Sequence, residues 1–185
     1  MTEASHVGDL VTRLALSHPE VSFRFINNGQ VKLHTSGNGN LKDVIYHIYG
    51  REIASNLIEV DFERKGIHIT GYLGKPLISR GNRNFENYFV DGRYIKSSII
   101  SKAIEDGYKD FTMQHKYPFV VLYLDVDTEH VDVNVHPTKM DVRFNNQQEI
   151  YNTLFAAVDD GLHERELIPE VTLDDIKNSR RTERL

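Results

Sequence analysis

Cysteine is absent from the 185 residues. Its absence excludes disulfides, thiol catalysis and zinc–thiolate sites, and it suits a reducing cytoplasm. No apolar run approaches the roughly 20 residues a membrane helix needs. The opening "MTEASHVGDL" lacks the apolar centre of a signal peptide. Catalytic signatures are missing too: there is no P-loop, no dinucleotide-type glycine pattern after a strand, no "HExxH" and no "GxSxG". What remains is ordinary globular composition, 39% hydrophobic and 26% charged, with length for one domain and a real core.

Net charge is −5, which argues against a dedicated nucleic-acid binder. The distribution is uneven. Between Arg64 and Lys102 stand eight basic residues and two acidic ones, so that segment is +6 and the rest is −11. Two readings stand: chance clustering on a solvated surface, or a patch that faces a polyanion.

Periodicity gives the organisation. Val7, Leu10, Val11, Leu14 and Ala15 predict a helix over Glu3–Leu16, stopped by "SHPE". "VSFRFI" and "QVKLHT" flank "NNG", a hairpin signal. Asn40 caps a second helix, "LKDVIYHIYG", closed by Gly50. Strands at 57–61 and 67–73 flank "ERKG" as a second hairpin, and "GKPLISRGNRN" reads as an exposed basic loop. "FENYFV", the turn "DG" and "RYIK" follow. Ser97 or Ser98 then starts a helix running to about Asp110. "YPFVVLYLDVD" begins with the continuous apolar run of a central strand. Glu149–Leu162 is a final helix, and the charged stretch from Ile168 reads as linker. Helices and hairpins in this order predict an α+β sandwich.

The stretch "VDVNVHPTKMDVRF" interrupts good strand sequence with a rigid turn. Pro137 fixes its own backbone angle and keeps His136 extended, so Lys139 leaves from a stiffened strand end. Such a lysine is either solvated or poised to reach a phosphate as a point charge. Asp132, Asn134 and His136 share one strand face, but no second wall of ligands accompanies them, and no metal site is expected.

Three blocks carry more than spacing. "NRNFENYFVDGRYIKSSIISKAIEDGY", "YPFVVLYLDVD" and "VDVNVHPTKMDVRF" resemble the MutL family of DNA mismatch-repair proteins. "LVTRLALSHPEVSFRF" is similar to the segment that follows the ATP-binding domain in that family. The resemblance runs from about His6 to His163. It implies the transducer domain of a GHKL-type ATPase half. The implied fold is a ribosomal S5 domain 2-like sandwich: a mixed sheet with helices packed on one face and a left-handed βαβ crossover. The implied division is a helix over 1–18, the transducer domain over 19–165, and a linker from 166 to 185.

The chain carries no "DNGxG", no "GxRGxAL" and no "DQHAxxER"-type motif. The resemblance therefore implies a module that is not an enzyme by itself. In the full-length protein Lys139 would reach the γ-phosphate of ATP, held with Mg by the ATP-binding domain of the same chain. No cofactor is expected for this stretch alone. Arg80, Arg83, Arg93, Lys96 and Lys102 would face DNA, although Ser98 stands where the family often has another basic residue. The implied partners are DNA and a MutS-like mismatch-recognition protein, in the cytoplasm and away from membranes. Two alternatives remain: a stand-alone S5-like nucleic-acid-binding module, and the transducer of a type II topoisomerase. The latter carries its lysine in a "QTK"-type motif where "HPTK" stands here.

Overall fold

The computed structural model describes residues 2–127, 131–132 and 143–166. Helix α1 (Glu3–Ser17) leads into a hairpin, β1 (Arg24–Asn27) and β2 (Gln30–His34). Helices α2 (Leu41–Tyr49) and α3 (Arg51–Ala54) follow, then β3 (Leu57–Arg64) and β4 (Ile67–Gly74). After two short 3-10 turns come β5 (Glu86–Val90), β6 (Arg93–Tyr94), α4 (Ser98–Tyr108) and β7 (Val120–Val126). Short strands β8 (Val131–Asp132) and β9 (Arg143–Phe144) precede α5 (Gln147–Glu166).

The hairpins form where local chemistry demands them. Asn28–Gly29, Lys65–Gly66 and Asp91–Gly92 each have two positive φ angles in succession. That is the type I′ geometry whose twist matches the flanking strands. Helix starts are equally local. The Asn40 side chain accepts from Asp43 N–H at 3.2 Å, and the Ser97 hydroxyl from Ile100 N–H at 3.4 Å.

Five strands pair in the order β3-β4-β7-β5-β6. The apolar run of β7 sits at the centre, as expected. It is antiparallel to β4 and parallel to β5, from Glu86↔Val120 to Val90↔Leu124. A parallel pair needs a crossover, and α4 supplies it. The sheet is therefore mixed and the fold α+β.

Alternate residues of β7 enter two different cores. Val120, Leu122 and Leu124 pack with Ile100, Ile104, Ile150 and Leu154 of α4 and α5 on one face. Phe119 and Val121 pack with Leu16, Val44, Ile45 and Ile53 on the other. The expected helical face is present, and the opposite face is covered too, by α1–α3 and the β1-β2 hairpin. All five residues of β5 are consequently buried.

Two local expectations change. The basic loop after β4 is not fully exposed: Ile78 is buried, and Arg80 pairs with Tyr117 through two backbone hydrogen bonds of 2.7 Å. In α1 the burial falls on Ala15 and Leu16, while Val7, Leu10 and Leu14 are 40–56% exposed. Only the carboxyl end of α1 reaches the sheet, where the Tyr123 hydroxyl donates to the Leu16 carbonyl.

Candidate nucleic-acid interface

A cleft of about 560 Å³ opens where α1, β5 and the amino end of α4 meet. Tyr88 fixes this junction from below. Its hydroxyl accepts from Ser97 N–H at 2.9 Å and lies 2.9 Å from Ser101 Oγ. The first turn of α4 is thereby tied to β5, and Ser97, Ser98 and Ser101 line the cleft. A helix amino end carries partial positive charge and suits an anion.

Three cations line the same cleft: Arg13, Arg83 and Lys96. Arg13 comes from α1 and stacks 4.3 Å above the Tyr94 ring. Lys96 is exposed just before the Ser97 cap. Arg83 lies 4.7 Å over Tyr117 and gives two hydrogen bonds to Glu105, at 2.5 and 3.2 Å. Asp9 is an acidic group on the rim, and Tyr49, Asn84 and Asn87 complete the walls.

Of the five basic residues implied by the resemblance, the structure brings Arg83 and Lys96 to the cleft. Arg93 is exposed on β6 and does not line it. Lys102 pairs with Asp106 at 2.6 Å and lies 5.8 Å over Tyr151 of α5. Arg80 packs 5.1 Å over Phe85, with its Nε buried and without a partner. Arg13 is the residue sequence reasoning missed. Its signal was the polar stripe Asp9, Thr12 and Arg13, at three- and four-residue spacing opposite the apolar face of α1.

Lys139 lies outside the described residues, as do Asn134 and His136. The strands around it pair antiparallel, Val131 with Phe144 and Asp132 with Arg143. Phe144 is buried in the main core, which anchors that end. Among the described residues, no three histidine or carboxylate side chains stand together as a metal would need, and no helix is long and apolar enough to cross a membrane.

Glu86, at the start of β5, is the cleft's buried acid. Burial first, and the nearby Glu105 carboxylate second, push its carboxyl up to about 8. The native state then holds this proton more tightly than the unfolded chain. The resulting stabilisation is full below the ordinary carboxylate range and is lost as pH rises through about 8. Glu86→Gln removes the titration. The variant should therefore gain stability relative to the natural chain as pH rises from about 5 to about 8.5. Urea unfolding at the two pH values checks this, and a constant difference would contradict it.

Comparison with known proteins identifies the family. The family described as "DNA mismatch repair protein, C-terminal domain" matches residues 45–163. The chain is 59% identical over 173 residues to the DNA mismatch repair protein MutL of Agathobacter rectalis, covering 94% of this chain and 26% of that protein. It is 44% identical over 160 residues to MutL of Clostridium acetobutylicum, covering 86% and 26%. The chain thus spans about a quarter of the length of the relatives it matches. Among solved structures, the N-terminal domain of a DNA repair protein superposes with a TM-score of 0.73 at 21% identity, over 88% of this chain and 54% of that one. The ATPase domain of the Aquifex aeolicus mismatch-repair endonuclease MutL gives 0.54 at 18%, over 83% and 51%. These two likenesses concern the fold. Identity to MutL sequences at this level also decides against the topoisomerase transducer. The chain belongs to the MutL family of DNA mismatch-repair proteins.

Proposed function

We propose that this chain is the transducer part of a MutL-type ATPase half: a helix over 1–18, the domain over 19–165 and the start of a linker to 185. It is non-catalytic alone. In the full-length protein it lends Lys139 to the γ-phosphate of ATP and Mg held by the ATP-binding domain, and it turns a basic cleft toward DNA. A lysine that contacts the triphosphate but not the diphosphate gives the two states different docking energies, so hydrolysis shifts the arrangement of domains. A MutS-like protein is the partner that would read this state, and the cytoplasm is where it would act. Support for the nucleotide part comes from likeness to a MutL ATPase domain solved with ADP.

The observation that carries the DNA part is the convergence of Arg13, Arg83 and Lys96 on the amino end of α4. Phosphate positions suit these groups, and Lys96 and Arg13 are not held in salt bridges among the described residues. Titrating single-stranded and duplex DNA, and RNA, against salt tests it. The expected result is DNA affinity that falls steeply with salt, with a logarithmic slope of about −2 to −3 for duplex. A clear RNA preference at physiological salt would favour a stand-alone RNA-binding module instead.

A further inference from the structure

The basic cleft is built over an acid pair that phosphate contact does not use. Glu86 is 8% exposed, and its Oε1 has no hydrogen-bond partner. Its carboxyl faces Ser101 and a second carboxylate, Glu105 of α4. Arg83 is the cation beside them, and it gives two hydrogen bonds to Glu105. Two carboxylates thus depend on one guanidinium. Neighbouring acids in a buried site do not both ionise easily, so the pair retains one proton.

The other groups around Glu86 do not titrate in its place. Tyr88 of β5 and Tyr108 of α4 both feel its charge, and burial pushes both phenols above their ordinary value. The Tyr108 hydroxyl donates to the Gly74 carbonyl at 2.6 Å, and the Tyr88 hydroxyl is held by Ser97 and Ser101. Val120 of β7, the strand partner of Glu86, is apolar. From α1 the cleft receives Asp9 and Arg13, and Lys96 comes from the segment before α4. Among the described residues, no histidine lines it.

We propose that the Glu86–Glu105 pair makes nucleic-acid binding at this cleft proton-dependent. With the proton in place, Arg83 balances one negative charge. When the proton leaves to solvent, the pair carries two, and a phosphate near Arg13, Arg83 and Lys96 is held less firmly. The effect acts through the field and needs no contact with the buried carboxyl. Burial first, and Glu105 second, bring the change at Glu86 to about 8. By linkage, a bound polyanion must in turn raise the proton affinity of the pair. This inference rests on the DNA-facing reading of the cleft.

Fluorescence anisotropy with duplex DNA at about pH 7 and about pH 9, at one salt concentration, tests it. The natural chain should bind about 3- to 5-fold more weakly at the higher pH. Glu86→Gln is neutral at both and should lose less than about 1.5-fold. Calorimetry of the natural chain at about pH 8, in two buffers of different ionisation enthalpy, gives a second readout that does not depend on a folded variant. DNA binding should take up about 0.3 to 0.4 proton there. Affinity that stays constant with pH, a loss that Glu86→Gln shares in full, or binding without proton uptake would overturn the inference and leave the DNA-facing reading standing. Binding at neither pH would overturn both.

Discussion

Gly71→Ala should destabilise the fold by about 3 kcal/mol or more. Gly71 lies in mid-strand on β4, in register with Leu122 of the central strand. Its φ is +124°, and an added Cβ would stand 2.2 Å from the Val121 carbonyl oxygen. The obstacle is backbone on the central strand, so no side chain can rotate away. Both remedies, moving β4 off β7 or changing φ, break ladder hydrogen bonds that hold the two cores together. Domains of this size are stable by about 5–15 kcal/mol, so a large fraction would be lost. Thermal melting followed by circular dichroism checks it. An alanine variant melting within about 2 °C of the natural chain would show that the strands can shift cheaply.

Lys139→Ala in a full-length MutL-family protein carrying this sequence should slow ATP turnover about 10- to 100-fold. Phosphoryl transfer spreads charge over the equatorial oxygens, and a positioned ammonium stabilises that charge. Pro137 stiffens the approach in sequence, and the β8-β9 pair holds the ends of the segment side by side. Because the proposed role is electrostatic, the melting curve should stay nearly unchanged. A steady-state assay beside a melt separates the alternatives. Normal turnover would remove the nucleotide role, and a large fall in melting temperature would make Lys139 a structural residue. The 185-residue chain alone should not hydrolyse ATP.

Much of the fold was legible because its causes are local. "NNG" and "DG" specify turns through the two positive φ angles that asparagine, aspartate and glycine tolerate. Asn40 and Ser97 announce helix starts through their own side-chain acceptors. The apolar start of β7 announces burial on both faces. The second helical layer was harder to read. The stripe Val7, Leu10 and Leu14 looks like a core face, yet only the end of α1 touches the sheet. Periodicity shows that a helix has an apolar side without showing what meets it.

The candidate site was legible in part for the same reason. Clustering in sequence grouped Arg80, Arg83, Arg93, Lys96 and Lys102, but a strand, a turn and a helix aim neighbours in different directions. Lys102 therefore meets Tyr151 and Asp106, while Lys96 meets the cleft. Arg13 lies 70 residues before Arg83 and joins it only because α1 folds back beside β6. Glu86 reads in "FENYFV" as one of two adjacent polar residues of a strand. Its depth follows from layers on both faces, which no local pattern contains.

The most direct test of the cleft as a nucleic-acid face is the salt slope of duplex DNA binding in the Arg13→Glu/Lys96→Glu double variant. A Lys32→Glu/Lys42→Glu pair serves as control, since both residues are exposed and neither lines the cleft. Both pairs change net charge equally, so a general field effect would move them alike. The cleft account predicts that the first pair loses about two units of slope and most of its affinity, while the control keeps its slope. Equal slopes in the two variants would contradict it.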